Sequence, residues 1–344
     1  MCGSGHVSGS AGNSHHLGPE GARLVFDKDI EPIAQVSQGE IVELDTKDCA
    51  GGAIATSSDL IRHIDDLIEE LGGLNFVTGP LAIRGVRSGD VLRVTVLDID
   101  PAPETHKGFI ALAPGFGSLV HDSGRGVQPS LDPVTTICDV TREQTTIPLP
   151  TGTVRLPTRP FIGTIGVAPR WERRMTLSQS PEYVGDIDLP QFCAGSTLLI
   201  RANHEGGLLS LGDVHAVQGD GEFGGMAVEI GARLRIRVDS VPASDSQLGR
   251  LPMLMDARRV GVVAAFQGTD SSGCVRAAAV ELAELLVRLG MSMSDALQYL
   301  SAAAKIRLGN MFEPFYSAYV YLDREYLPIH LPPELETVTG TETA

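Results

Sequence analysis

Aromatic side chains are scarce in this chain: 10 Phe, 6 Tyr and the single Trp171 make up 5% of 344 residues. The sequence therefore lacks the stacking platform on which single-strand binders seat successive bases. Cationic side chains are few as well, with 27 Lys and Arg against 43 Asp and Glu, for a formal net charge of −16. A surface this acidic repels phosphate backbones and anionic lipid, so neither nucleic acid nor membrane is an expected partner. The same carboxylates attract divalent cations. No stretch approaches the ~20 consecutive apolar residues of a membrane-spanning helix. Nucleotide and hydrolase signatures are missing too. No GxGxxG stands at the end of a strand, and there is no Walker A sequence, GxSxG elbow or HExxH. Nicotinamide chemistry, P-loop chemistry and serine hydrolysis on the α/β plan are thereby disfavoured.

Cysteines number five, at Cys2, Cys49, Cys138, Cys193 and Cys274, with no CxxC spacing. An odd, dispersed set in a long chain does not read as a disulfide framework, and a cytoplasmic location is expected. The first residues, MCGSGHVSGSAGNSHHLG, have neither a basic nor an apolar segment, so residues 1–23 are expected to form a flexible tail rather than a signal peptide. His15 and His16 in such a tail lack preorganised metal geometry. Residues 331–344 are expected to form a second tail, leaving 24–330 as one domain.

What is abundant is punctuation. Gly 39 and Pro 21, set among short apolar runs in a chain that is 42% hydrophobic, predict a mainly β fold with β-sandwich-like layers. Strands are expected at Val25–Ile33, Gly39–Leu44, Val91–Ile99, Thr145–Leu149, Gly152–Leu156, Phe161–Ala168, Thr197–Ala202 and Met226–Ile230. The phrase at Gly89–Val96 returns at Gly231–Val238 as a second GxxLRhxV, which suggests equivalent strands in two layers, or merely two turn-then-strand segments. Apolar residues at three- and four-residue spacing predict a helix over Leu60–Leu71, capped by Ser57 or Ser58 and closed by Gly72-Gly73. The same periodicity over Cys274–Leu289 and Ser294–Ala304 predicts a C-terminal helical hairpin, with Ser292 or Ser294 as the second cap.

The densest polar segment is Gly212–Glu222, GDVHAVQGDGE. In extended backbone the i, i+2 spacing of Asp213 and His215 puts both side chains on one face, where carboxylate oxygen and imidazole nitrogen suit a divalent ion. Asp220 and Glu222 repeat the spacing and offer a further ligand or a general base. Asp, Gly and His also make tight turns in which Asp caps its own backbone, so spacing alone leaves both readings open. A third ligand is sought in Asp45–Cys49, which otherwise reads as an acidic surface turn. Cys49 there has no local partner to make it a nucleophile. Glu205, in Asn203–Gly207, is a candidate pocket residue or a surface one. His106 and His121-Asp122 are read as surface loop residues.

Several phrases in order give the chain a resemblance to the acetamidase/formamidase family: Thr78-Gly79-Pro80, Gly89-Asp90, Ile162–Pro169, Gly195–Leu198 and above all GDVHAVQGDGE. The resemblance spans about Leu24 to Pro328. It implies hydrolysis of a small amide to carboxylate and ammonia, in a homo-oligomer of two or more subunits. It also implies a divalent metal, with zinc favoured over calcium or another ion, carried onto Asp48, Asp213 and His215, and Glu222 beside it with Asp220 as the substitute base. Where relatives read GGNMD or GGNLD, this chain has Val184-Gly185-Asp186-Ile187-Asp188. One glycine and the asparagine are replaced, which makes Gly185 and Asp186 candidate substrate-pocket residues. Rival readings are a hydrolase of cyclic amides, imides or carbamates, and a metal-stapled binding protein without turnover.

Overall fold

The computed structural model describes residues 15–119 and 131–336. Among these, two large sheets dominate. One has nine strands in the order His15–Leu17, Ile41–Thr46, Ala232–Val241, Val91–Pro101, Thr197–Arg201, Met253–Met255, Arg259–Gln267, Phe315–Asp323 and Lys305–Phe312. The other is branched. Its main path runs Gly152–Pro157, Gln144–Leu149, Val134–Val140, Lys107–Leu112, Glu229–Ile230, Leu209–His215, Phe161–Val167, Val184–Asp186 and Gln179–Ser180, and Val77–Ile83 joins it at Leu209–His215.

The main core lies between the sheets. Val42, Leu44, Val94, Val96, Leu234 and Ile236 of the first meet Leu81, Ile162, Ile165, Leu209, Leu211 and Val214 of the second. Period-2 alternation then gives the first sheet a second buried face. On Arg259–Gln267, Val263 and Ala265 enter the inter-sheet core, while Val260, Val262 and Ala264 pack with Cys274, Ala278 and Leu282 of the Ser271–Arg288 helix. That explains why this strand is apolar nearly throughout. The helical hairpin, completed by Met293–Ala303, is thus laid on one outer face, as expected. Ser292 caps its second helix through the Asp295 N–H, and Asp270 caps the first through Gly273.

Several expectations are corrected. The two GxxLRhxV strands are not in separate layers: Val91–Pro101 and Ala232–Val241 are antiparallel neighbours, with Leu234 opposite Ile99 and Val238 opposite Val94. Matching alternation there serves one shared face. The first helix begins only at Ile64, with His63 at its start and Gly72, φ +77°, at its end. The polar residues before it make a turn of their own, in which the Asp59 carboxylate accepts the Ala55 and Thr56 N–H groups. The strand at Val25 ends at Phe26, where Asp27 accepts the Asp29 N–H and turns the chain. Residues read as tails also carry structure. His15–Leu17 pairs in parallel with the Ile41–Thr46 strand, and Leu335 is fully buried. Cys49, Cys138 and Cys274 are free and Cys193 is disulfide-bonded, so the described cysteines do not form a disulfide framework. His106 is exposed; His121 and Asp122 lie outside the described residues. No helix among the described residues is long and apolar enough to cross a membrane.

Candidate active site

The Leu209–His215 strand runs through the middle of the branched sheet, so a polar side chain near its end is buried by construction. Its register with Phe161–Val167 pairs Ile162 with Val214 and Thr164 with Gly212, passing over Gly163 and Asp213. There the strand kinks. Asp213 takes φ +53° and gives its N–H to the Phe76 carbonyl at 3.2 Å. A Cβ on Gly163 would stand 2.5 Å from Asp188 Oδ1, 2.6 Å from His215 Cε1 and 2.7 Å from the Asp213 carbonyl oxygen. Glycine is what lets three groups converge at that point.

The kink is one of several. Asp188 and Glu222 both have φ +43°, and Val184 has φ +80°. A β-branched residue is a genuine outlier there. Its strain, about 1–3 kcal/mol, is offset by burying an aliphatic side chain in the inter-sheet core, about 1.5–3 kcal/mol.

These segments gather five carboxylates, Asp186, Asp188, Asp213, Glu222 and Glu229, around His215, all of them buried. His215 Nε2 is 3.1 Å from Glu229 Oε1 and 3.9 Å from both Asp213 Oδ1 and Glu222 Oε1, while Nδ1 is 3.6 Å from Asp188 Oδ1. Neutral groups hold some of the oxygens in place. Thr164 donates to Asp213 Oδ2 at 2.8 Å, Asn310 donates to Asp186 Oδ2 at 3.0 Å and Asp188 Oδ2 at 3.3 Å, and the Ala227 N–H donates to Glu229 Oε1 at 3.0 Å. Burial pushes the carboxyls of Asp186, Asp213 and Glu222 well above the usual range and raises Asp188. Burial opposes a charged His215, but the facing Glu229, Asp188 and Asp213 carboxylates outweigh it and lift the imidazole well above its ordinary value.

Asp186 Oδ1, Asp188 Oδ1, Asp213 Oδ1, His215 Nδ1 and Glu229 Oε2 have no hydrogen-bond partner. Buried acids left this way need protons or a cation. Donor atoms of Asp188, Asp213 and His215, of His215, Glu222 and Glu229, and of Cys49, Asp213 and Glu229 lie within 4.8 Å of one another in each group. These residues also line a partly open cavity, bordered by Phe116, Met226 and Phe312, whose inner space of about 20 Å³ has room for one water or one ion. The donor set fits a divalent cation.

Of the residues singled out in the sequence, Asp213, His215, Glu222 and Asp186 come together here. Gly185 supports Asp186: its φ is +104°, and an added Cβ would meet the Ser178 carbonyl oxygen at 1.8 Å. Asp48 lies beside the cluster, but its Oδ1 accepts the Ala50 and Gly52 N–H groups, both at 3.0 Å, and the metal-capable groups include Cys49 in its stead. Asp220 is exposed and paired with Arg307 at 2.6 Å. Glu205 is exposed in the turn before the Leu209–His215 strand, at the end away from His215. Glu229 and Asn310 were missed. Glu229 had a signal, an acid inside the otherwise apolar Met226–Ile230 run.

A model of the Acetamidase/Formamidase family matches residues 22–180 and 172–313. A Schizosaccharomyces pombe protein named as a formamidase is 26% identical over 249 residues, covering 57% of this chain and 58% of its own length. The acetamidase of Mycolicibacterium smegmatis is 26% identical over 267 residues, covering 62% and 64%. The chain thus spans less than two thirds of these curated relatives. The crystal structure of acetamidase from Bacillus halodurans superposes with a TM-score of 0.79 at 28% identity, over 90% of this chain and 98% of that one. With a family match across both sheets and the acid cluster they enclose, the chain belongs to the acetamidase/formamidase family.

Proposed function

We propose that the chain hydrolyses short linear amides to a carboxylate and ammonia at the buried acid–imidazole cluster. The carrying observation is the convergence of unpartnered Asp188, Asp213, His215 and Glu229 atoms on one cavity. Asp213 and His215, with a neighbouring carboxylate, hold a divalent ion. When bound, such an ion supplies the positive charge that acidifies water and polarises an amide carbonyl. Glu222 takes the proton from the attacking water and returns it to the leaving nitrogen. Thr164 fixes the Asp213 carboxylate through one oxygen and leaves the other free. Asp186 Oδ1, unpartnered on the same cavity wall, accepts an N–H of the substrate amide. Phe116, Met226 and Phe312 give the cavity an apolar border.

Five acids at the centre and a net charge of −16 favour small neutral or cationic amides over anionic ones. Asp186 in place of the relatives' asparagine also supports a second reading, a C–N substrate other than formamide or acetamide. The chain assembles as a homo-oligomer, so light scattering should give a mass well above the 36.5 kDa of one chain, and the ion is zinc in a cytoplasmic enzyme. The test is ammonia release from a panel of formamide, acetamide, propionamide and succinamate, with metal content measured on the same sample before and after chelation. Loss of both together and recovery on reloading support the reading; turnover unaffected by full removal of metal overturns it.

A further inference from the structure

We propose that Cys49 is a thiolate ligand of the ion held at this cluster, and that it makes the site select a thiophilic cation over Mg²⁺ or Ca²⁺. The inference rests on the reading above that the cluster binds a divalent ion.

Cys49 is placed from both sides. Asp48 Oδ1 takes the N–H groups of Ala50 and Gly52, which winds the loop tightly just after it. The Asn75 N–H donates to the Cys49 carbonyl at 2.9 Å. The residue is 3% exposed. Its neighbours Ala50, Ile54 and Ile61 form a small apolar cluster, which accounts for burial but not for where the sulfur points. Sγ lies within 4.8 Å of ligand atoms of Asp213 and Glu229. Each of those carboxylates is at most 2% exposed and has one oxygen without a partner. A thiol that served only as a small hydrophobe would sit among carbons. The thiol can donate to Glu229, which leaves the Asp213 oxygen without a partner; a cation between the sulfur and the two acids would satisfy all three.

His215 reaches the same two acids, its Nε2 lying 3.1 Å from Glu229 Oε1 and 3.9 Å from Asp213 Oδ1, but it groups with other carboxylates and not with Cys49. One sulfur and two carboxylate oxygens supply three of the four ligands that Zn²⁺ takes. Mg²⁺ and Ca²⁺ take oxygen ligands and gain little from sulfur. On binding, the S–H bond breaks, the sulfur–metal bond forms and the proton leaves to bulk water. Asp48, one residue earlier, then works as a loop clamp that sets the sulfur in place.

The test uses the full chain, stripped of metal and loaded with Co²⁺. The expected result is a near-ultraviolet thiolate-to-cobalt charge-transfer band that persists in excess Mg²⁺ or Ca²⁺. Cys49→Ser should still take up cobalt but lose the band, with zinc affinity down by about 10-fold or more. Cys49→Ala gives the same spectral test should the serine variant fold poorly. Cobalt bound to the unaltered chain without the band overturns the proposal. So does a band that survives both substitutions, or displacement of cobalt by equimolar Ca²⁺. Failure of the unaltered chain to bind cobalt at all overturns both this proposal and the cation reading beneath it.

Discussion

Asp213 Oδ1 stands 3.9 Å from His215 Nε2 across a kinked strand, not along an extended one. The left-handed turn at Asp213 costs about 1–3 kcal/mol. It persists because neighbouring strands hold the chain on either side of it. The same backbone region is used by Asp188 and Glu222. Strain at three of the acids is therefore part of how the cluster is aimed, and the aim depends on space left by Gly163.

Gly163→Ala should show this directly. The new methyl group would press on the Asp188 carboxylate, the His215 ring and the Asp213 backbone, all inside 3 Å. Overpacking of this kind costs about 1–3 kcal/mol. We expect a folded protein with a lower melting temperature, less bound metal and at least about a tenfold loss of turnover, since misplaced reacting groups are penalised steeply. Circular dichroism melts with parallel metal analysis check it. Unchanged metal content and activity would mean that the cluster tolerates rearrangement.

Much of this was legible in the residues, and the exceptions have physical reasons. Alternation located the strands because each sheet buries at least one face, and the C-terminal helices announced themselves through periodicity and the Ser292 cap. The partnership of Asp213 with His215 followed from their spacing, although the extended backbone assumed for it is absent. Glu229 and Asn310 escaped because they reach the cluster through sheet pairing and a long-range loop contact, which no local pattern encodes. Asp48 was named as a ligand through the family resemblance, not through any local pattern. Only the loop's own hydrogen bonds reveal that this carboxylate is occupied with backbone.

Asp186→Asn keeps the size of the side chain and removes one buried acid. The asparagine oxygen can still accept from Asn310, now at 3.0 Å from Asp186 Oδ2. Relief of an unpartnered buried oxygen should stabilise the metal-free protein at neutral pH by on the order of 1–3 kcal/mol. Denaturant unfolding of the stripped protein measures it. A destabilised variant would show that Asp186 is held as a neutral acid that donates a hydrogen bond of its own.

The stripped protein should also lose stability as pH rises. Asp186, Asp188, Asp213, Glu222 and His215 all have folded-state values raised from ordinary ones of 3.8 for Asp, 4.5 for Glu and 6.5 for His. A raised group binds its proton more tightly when folded. Its contribution is complete below the unfolded-state value and is lost as pH climbs towards the folded one. Every group here pushes the same way. The melting temperature of the chelated protein should fall between about pH 5 and pH 8, and added divalent ion should restore most at the upper end. A flat or rising profile without metal would contradict the assignment.

Glu222→Gln separates the base from the ligands. Glu222 Oε1 lies 3.9 Å from His215 Nε2, close enough to act on water in the same cavity. Its left-handed backbone, φ +43°, and the bond from the Gly225 N–H to its carbonyl at 2.8 Å do not depend on a charged side chain, so glutamine should sit in the same place. Glutamine keeps size and hydrogen bonding but cannot take a proton at neutral pH. Metal content should therefore stay near that of the unaltered chain while turnover falls by roughly 10²-fold or more. Loss of metal along with activity would make Glu222 a ligand. Normal turnover would move the base elsewhere. Asp220 is drawn away by Arg307 and Glu205 is exposed outside the cavity, so Glu229, which already contacts His215 at 3.1 Å, would be the next residue to replace.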